Sequence, residues 1–500
     1  MNYSVEEYKK DIDKNGIEEV WLHILEYCKY SKNDLLNISN FGLLYEIGLA
    51  HINKENKKEN GIYYTPSDVA DTLTDYLMDL KGDNICDVCC GTGNLVLSYL
   101  EKLGYDKARE LIKKGRLYLY DMDELALAIC KQSIGIIYGT DCLEYINCIC
   151  GDFLDKNIHL PENSRVISNP PYFKITKISD NWENSQIIKD TKELYSAFMA
   201  KILKESESSV IITPFSFIGG DKFYSLRELM NNYNGFILSF DNVPGNIFKG
   251  KKQGIFNTNA ANSVRAAITV VENKEGVNGF RLSPLLRFST SEREKVLDVK
   301  VLNDFIGTEY QVVSKNNGKY YKCFNSVLPL YQYWASISTL KFSDIISKNK
   351  TEYSLTMPKT CRYFVSATRK ELSRTGKSTL YFSTLEDMEF AYVLLNSSFA
   401  YLYWRIFDGA ITYADGLLKS MPVFSNILTD IQKENIHNIV SEMIEKESEF
   451  LVYKKNANEM QENVKFPDGY RERLNKLLIE ILGVDFDIKE LDKVHQNSLF

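Results

Sequence analysis

From residue 61 to about 275, short apolar runs alternate with amphipathic stretches. NICDVCC, RLYLYD, INCICGD, RVISNPP, SSVIITP, GFILSFD and AAITVVE read as strands, and 67–80 and 125–137 read as helices. Strands alternating with helices build βαβ units, and so a mostly parallel, doubly wound α/β sheet covered on both faces. The last two runs lie closer together, which predicts an antiparallel hairpin at the far edge. In residues 1–60, Val20, Leu22, Ile24 and Leu25, then Leu43, Leu44, Ile47 and Leu49, recur at near-helical spacing, and HINKENKKEN closes that segment as a polar linker. Between 280 and 420 aromatics become dense, helical periodicity weakens and basic residues cluster. Helix returns at Ile427–Met443 spacing (Ile427, Leu428, Ile431, Ile436, Ile439, Val440, Met443) and at 470–482, which stops at Gly483. This organisation predicts a helical segment 1–60, an α/β domain 61–278, a mixed α/β domain 279–424 and a helical region 425–500.

Composition narrows the class. The chain has 500 residues, 44% of them hydrophobic and 25% charged, which excludes a disordered chain, a collagen-like repeat and a disulfide miniprotein. No run approaches the length of a membrane span. The opening MNYSVEEYKK lacks the basic flank and apolar core of a signal peptide, so a cytoplasmic location is expected. Seven of the ten cysteines fall between Cys86 and Cys150, but no zinc-ligand spacing is completed. They read as small reduced thiols, and no metal site is expected. The net charge of −7 describes no polycation. A nucleic-acid partner needs locally concentrated positive charge. Residues 341–377 supply it, with nine basic residues against three acids.

Four motifs carry the chemistry, each at the end of a predicted strand. Asp87-Val-Cys-Cys-Gly-Thr-Gly-Asn94 is a glycine turn opening a helix, where Gly91 and Gly93 let backbone approach a ligand. It is neither GxGxxG nor a P-loop. By itself it is equally a tight strand–helix connection. Asp121, ending the next strand, is placed to accept from a ribose diol, though alone it also reads as a helix cap. Asp152 could accept from an exocyclic amino group with Phe153 against a purine, or the pair could be a turn aspartate beside a core phenylalanine. The deciding motif is Ser168-Asn-Pro-Pro-Tyr172. Two prolines hold the chain extended and stiff at the sheet's C-terminal edge. Asn169 and the Pro170 carbonyl offer two acceptors, which suit an amino group. Tyr172 offers a flat face to a base.

With these motifs in this order, the sequence resembles the S-adenosylmethionine-dependent amino-methyltransferases. The nearest likeness is to the gamma-class N6-adenine DNA methyltransferases of bacterial restriction–modification systems. Gly61-Ile-Tyr-Tyr-Thr-Pro66, upstream of the glycine turn, resembles the family's motif at the methionine end of the cofactor. The resemblance covers about 61–275 and implies a Rossmann-like catalytic domain followed by a target-recognition domain. It implies that Tyr64 and Thr65 contact the methionine part of S-adenosylmethionine, and that Asp87, Cys89, Gly91 and Gly93 line its floor. Asp121 would hold the ribose with Met122 beside the adenine, and Asp152 and Phe153 would hold that adenine. Asn169, Pro170, Pro171 and Tyr172 would hold the target base, with Phe248 in GNIFKG as a second stacking aromatic. The family often carries Ala or Ser where Cys89 and Cys90 stand; both thiols are small.

The expected reaction is methyl transfer to N6 of a flipped adenine in double-stranded DNA, without DNA cleavage. Lys249 and the basic loop 249–252 are expected beside the flipped base. Arg362, Arg369, Lys370, Arg374 and Lys377 are expected on phosphates or guanines. The expected protein is a nucleoid-associated monomer or weak dimer with no membrane partner, and a separate restriction endonuclease is a possible companion. The same chemistry on RNA adenine, cytosine N4 or a protein glutamine stays open, as does a modification subunit of a multisubunit system. Such subunits commonly have Phe where Tyr172 stands.

Overall fold

The computed structural model describes residues 5–30, 41–52, 65–183, 185–248, 264–313, 318–361, 363–456 and 459–500. Tyr64, Lys249, the loop 249–252, Arg362 and most of the polar linker after residue 52 lie outside them. The chain forms two compact units, Met1–Tyr320 together with Phe500, and Tyr321–Leu499.

The first unit begins with helices α1 (Val5–Asn15), α2 (Ile17–Tyr30) and α3 (Phe41–Ile52). There follow α4 (Ser67–Met78), β1 (Asn84–Val88), α5 (Asn94–Leu103), α6 (Tyr105–Lys113), β2 (Leu117–Asp121) and α7 (Glu124–Tyr138). Next come β3 (Asn147–Cys150), β4 (Ser164–Ser168), α8 (Gln186–Thr191), α9 (Leu194–Glu205), β5 (Ser208–Pro214) and α10 (Tyr224–Met230). The unit closes with β6 (Asn234–Phe240), β7 (Ala266–Val271), β8 (Gly279–Leu286), α11 (Arg293–Val296) and α12 (Val299–Asn303).

The eight strands form one sheet in the order β3-β2-β1-β4-β5-β7-β6-β8. All neighbours are parallel except β7, which runs antiparallel to both β5 and β6. Interior strands are buried at successive positions, Ile85 to Val88 in β1 and Asn234 to Phe240 in β6. Both faces are therefore covered, as near-continuous apolar runs require. Strand order reverses between β1 and β4, and the crevice outside the strand ends at such a point is where open α/β sheets bind ligands.

Two expectations are corrected. The β6–β7 pair does not form the edge of the sheet, because β7 inserts between β5 and β6 and β8 lies outside β6. The expected boundary at 278/279 also falls immediately before β8, so the first unit runs on to Tyr320. GFRLSPLL does not look like a strand because Arg281, Ser283 and Pro284 interrupt it. Pro284 is accommodated because β8 is an edge strand, where a missing N–H breaks no central ladder. At the β6 irregularity between Ile237 and Ser239, the Ser283 hydroxyl accepts from the Ser239 N–H at 2.9 Å.

The N-terminal helices belong to this unit. Tyr8, Trp21, Ile24, Phe41, Leu44 and Tyr45 share a core with Ala126 and Ile129 of α7. In the second unit, helices Leu328–Ile337, Leu385–Asn396, Ser398–Phe407, Asp430–Lys446 and Asp468–Leu482 pack around one core containing Trp334, Tyr401 and Trp404. Ile436, Val440, Leu474 and Leu478 belong to that same core, so residues 425–499 do not separate from the preceding segment. No helix among the described residues is long and apolar enough to cross a membrane.

Candidate active site

The loops after β1, β2, β3 and β4 surround a cavity of about 520 Å³. Cys89, Gly91, Asp121, Met122, Asp152, Phe153, Asn169 and Pro171 line it, so the sheet brings together residues that the sequence scatters over 83 positions. Thr65, Asn94, Trp182 and, from α3, Tyr45 complete the wall.

The glycine turn is fixed by backbone geometry. Cys89, Gly91 and Gly93 have φ of 62°, 52° and 96°. A side chain on Gly93 would strike Cys130 Sγ, whereas one on Gly91 would meet no atom. Gly93 is thus needed by packing, and Gly91 leaves space open beside the cavity. The Asp121 carboxylate ties the turn to β2, accepting from Gly91 N–H at 2.7 Å and Asp123 N–H at 2.9 Å. The helix cap is Asp123, which accepts from Leu125 and Ala126 N–H. Its other oxygen accepts from the Tyr45 hydroxyl at 2.7 Å, which anchors α3 to the cavity rim.

Asp87 is fully buried. One oxygen accepts from Val96 N–H at 3.1 Å, and the other has no partner. Burial, reinforced by the nearby Asp121 charge and opposed by the Val96 N–H, pushes its carboxyl up to about 8. Burial also raises Asp121, with the Asp123 and Gly91 N–H groups opposing it. The Cys89 thiol is raised by burial, so it stays protonated and acts as small lining rather than as a nucleophile.

The Asp152 carboxylate accepts from Leu154 N–H at 3.0 Å and from Trp182 Nε1–H at 2.6 Å. Phe153 is buried, stacked on Phe198 and edge-on to Tyr120. Met122 is exposed at the rim.

At the end of β4, Ser168 Oγ–H donates to the Val88 carbonyl at 2.7 Å, locking β4 to β1 across the switch point. Asn169 Nδ2–H donates to Thr65 Oγ1 at 2.8 Å. The Thr65 carbonyl accepts from Asn94 Nδ2–H at 3.0 Å, so one threonine joins the diproline corner to the glycine turn. The Tyr172 hydroxyl donates its one proton to Asn169 Oδ1 at 2.5 Å, with the Ile212 carbonyl sharing it at 3.0 Å. Phe248 packs on Tyr172 with ring centres 5.8 Å apart and planes at 70°.

The basic residues of the second unit are arranged differently from the expectation of outward contacts. The Arg369 guanidinium donates to the Glu352 and Ser354 carbonyls, and the Arg369 and Lys370 N–H groups donate to buried Glu447. Arg374 holds Gly376 O and Asn463, and Lys377 holds Leu372 O and Glu371. The side-chain head groups of Arg369, Arg374 and Lys377 are thus held by oxygens within the unit, whereas Lys370 is held there through its backbone N–H. Lys348 and Lys350 are exposed.

Sequence reasoning missed Tyr45, Asn94 and Trp182. Asn94 carried a signal, since it opens the helix after the glycine turn. Tyr45 and Trp182 reach the cavity only through tertiary structure. All ten cysteines are free, and the described residues contain no cluster of three His, Cys, Asp or Glu groups that could hold a metal.

Residues 37–255 match the family model described as N-6 DNA Methylase. The match covers less than half of the 500-residue chain. The chain is similar to Type II methyltransferase M.VspI of Vibrio sp. (strain 343), 27% identical over 228 residues, which are 44% of this chain and 49% of the relative. It is 31% identical over 158 residues to the Type I restriction enzyme MjaIX methylase subunit of Methanocaldococcus jannaschii, covering 31% of this chain and 25% of the relative. The Type I restriction enzyme MpnII methylase subunit of Mycoplasma pneumoniae matches at 24% over 318 residues, 60% of this chain and 54% of the relative. The chain spans about half the length of these relatives or less.

Proposed function

We propose that the protein transfers a methyl group from S-adenosylmethionine to N6 of an adenine flipped out of double-stranded DNA. The observation that carries this reading is the diproline corner. Asn169 and Pro171 line the same cavity as Asp121 and Asp152, and Thr65 bonds to both the corner and the glycine turn. The methylase-family match of residues 37–255 supports it.

The cavity fits the cofactor. Its volume suits a nucleoside-sized ligand. It has open space beside Gly91, a carboxylate on β2 for ribose hydroxyls, and Asp152 with Phe153 and Phe198 for a purine. When bound, S-adenosylmethionine supplies an electrophilic methyl group.

The protein's part is positioning. Adenine N6 is a weak nucleophile because its lone pair is delocalised into the ring. Asn169 Oδ1 and the Pro170 carbonyl accept its two N–H groups and draw the nitrogen toward tetrahedral geometry, turning its lone pair toward the methyl group. An amide oxygen has two lone pairs, so the Tyr172 bond and a bond from the base are compatible. Orientation of this kind supplies on the order of 7–11 kcal/mol. Asparagine is not a base, and the proton leaves to water after transfer.

Flipping costs a few kcal/mol. Stacking on Tyr172 and Phe248 offsets part of it, at roughly 1–3 kcal/mol per aromatic. In the free protein the two rings meet edge to face, so a base enters by separating them. With Arg369, Arg374 and Lys377 held internally, phosphate contact in the second unit falls to exposed lysines such as Lys348 and Lys350.

A second reading has a specific support. The similarity covering the most of this chain among these relatives is to a type I methylase subunit. In that reading the chain does the same chemistry but takes its sequence choice from a partner. Purified protein, unmethylated plasmid DNA and tritiated S-adenosylmethionine separate the two. Label confined to one sequence context supports the stand-alone enzyme, and label appearing only after a partner is added supports the subunit. No label in DNA under either condition sinks both.

A further inference from the structure

Phe248 sits in a stretch with no regular secondary structure, following β6. Its position against Tyr172 therefore needs an external cause. Asp241, at the C-terminal end of β6, is buried between Arg265 of the β7 approach and Arg287 after β8, at 2.9 and 3.0 Å. That fixes where the stretch begins. Its far end is held by Arg293, which comes from α11, a segment absent from the sequence argument.

The Arg293 side chain is 4% exposed and has four bonds. Nη1–H donates to the Asn246 carbonyl at 2.8 Å and Nη2–H to the Ile247 carbonyl at 2.6 Å, the two residues preceding Phe248. Nε–H and Nη2–H donate to the two oxygens of Asp68 at 2.5 and 2.8 Å. Asp68 lies in the first turn of α4, three residues after Thr65, whose hydroxyl holds Asn169. One planar guanidinium thus grips the backbone just before Phe248 and the helix that starts two residues after the Asn169 anchor Thr65. Lysine cannot reproduce this, because its ammonium is a point donor without the fork.

We propose that Arg293 is the positioning residue that sets the separation between the Asn169 corner and Phe248, and hence the width of the slot for the target base. It touches neither base nor cofactor. It rests on the proposed methyl transfer only in its consequence for rate, because the clamp itself is testable without turnover.

The test compares wild type, Arg293→Lys, Phe248→Ala and the double variant. Single-turnover incorporation of labelled methyl into unmethylated plasmid DNA gives the rate, and calorimetry gives S-adenosylmethionine affinity. Arg293→Lys should slow transfer by about 10–100-fold, since small misplacements of reacting groups are that damaging. Cofactor affinity should stay within about twofold. In the Phe248→Ala background the same substitution should cost under about threefold, because residues acting through one contact are not additive. Multiplying losses in the double variant, or a matching loss of cofactor affinity, would overturn the assignment. If Arg293→Lys does not fold, Asp68→Asn replaces it in the same cycle and must show the same non-additivity. Should wild type label no DNA, the functional reading fails, and hydrogen exchange still decides the clamp. Faster exchange in Arg293→Lys confined to 241–248 supports it, and unchanged exchange there refutes it.

Discussion

At the scale of single residues, Asp87 makes a prediction opposite to the usual one for a carboxylate. An unfolded aspartate titrates near 3.9. In the folded chain burial moves it to about 8. Between these values the native state holds a proton that the unfolded chain has released, so the group removes stability as pH rises from about 4 to about 8. Its contribution is bounded at about 1.4 kcal/mol per pH unit. Thermal midpoints measured from pH 5 to 8 should therefore fall more steeply for wild type than for Asp87→Asn, and parallel curves would exclude the shift. Tyr172 makes a second one. Its hydroxyl bonds Asn169 and its ring packs on Phe248, and in the proposed reaction the ring also stacks on the base, so Tyr172→Phe removes one of two roles. Losing a hydrogen bond of roughly 1 kcal/mol should lower single-turnover transfer about 5–10-fold, with a larger loss for Tyr172→Ala. Equal losses would mean that the ring contributes nothing.

At the scale of elements, seven strands of the sheet were legible because each is a compact apolar run closed by a Gly, Asp or Pro turn. The ends of four of them carry the site. β8 was not legible, because an edge strand tolerates Pro284 and a half-polar face, which remove the signal. The wall made by α3 was hidden for another reason. Its residues look like ordinary core, and only the Tyr45–Asp123 bond reveals that they bound the cavity. The two glycines of the first turn should separate experimentally. Gly93→Ala drives a Cβ into Cys130 Sγ and imposes φ of 96°, so it should destabilise the fold by several kcal/mol in urea unfolding. Gly91→Ala meets open space and needs only the left-handed region, at about 1–2 kcal/mol. Its main effect should be on cofactor affinity measured by calorimetry. The reverse order would contradict the assignment of Gly91 to the cavity.

At the scale of the whole molecule, charge counting located a basic segment but not its use. Nothing in 341–377 reveals that Arg369 reaches Glu352 and Ser354 or that Arg374 reaches Asn463 across 89 positions. The consequence is a division of labour. Arg374→Ala should lower unfolding stability and leave the salt dependence of DNA binding unchanged. Replacing exposed Lys348 and Lys350 together should leave stability unchanged and flatten the slope of log affinity against log salt by about 2, if each meets one phosphate. An unchanged slope would move the DNA-contacting surface elsewhere. The central claim, that the Asn169 corner presents an adenine amino group to a methyl donor, is tested most directly by single-molecule sequencing of DNA from cells expressing either wild type or Asn169→Ala. The account predicts N6-methyladenine in one sequence context with wild type and none with the variant. N4-methylcytosine, or adenine methylation that survives Asn169→Ala, would contradict it.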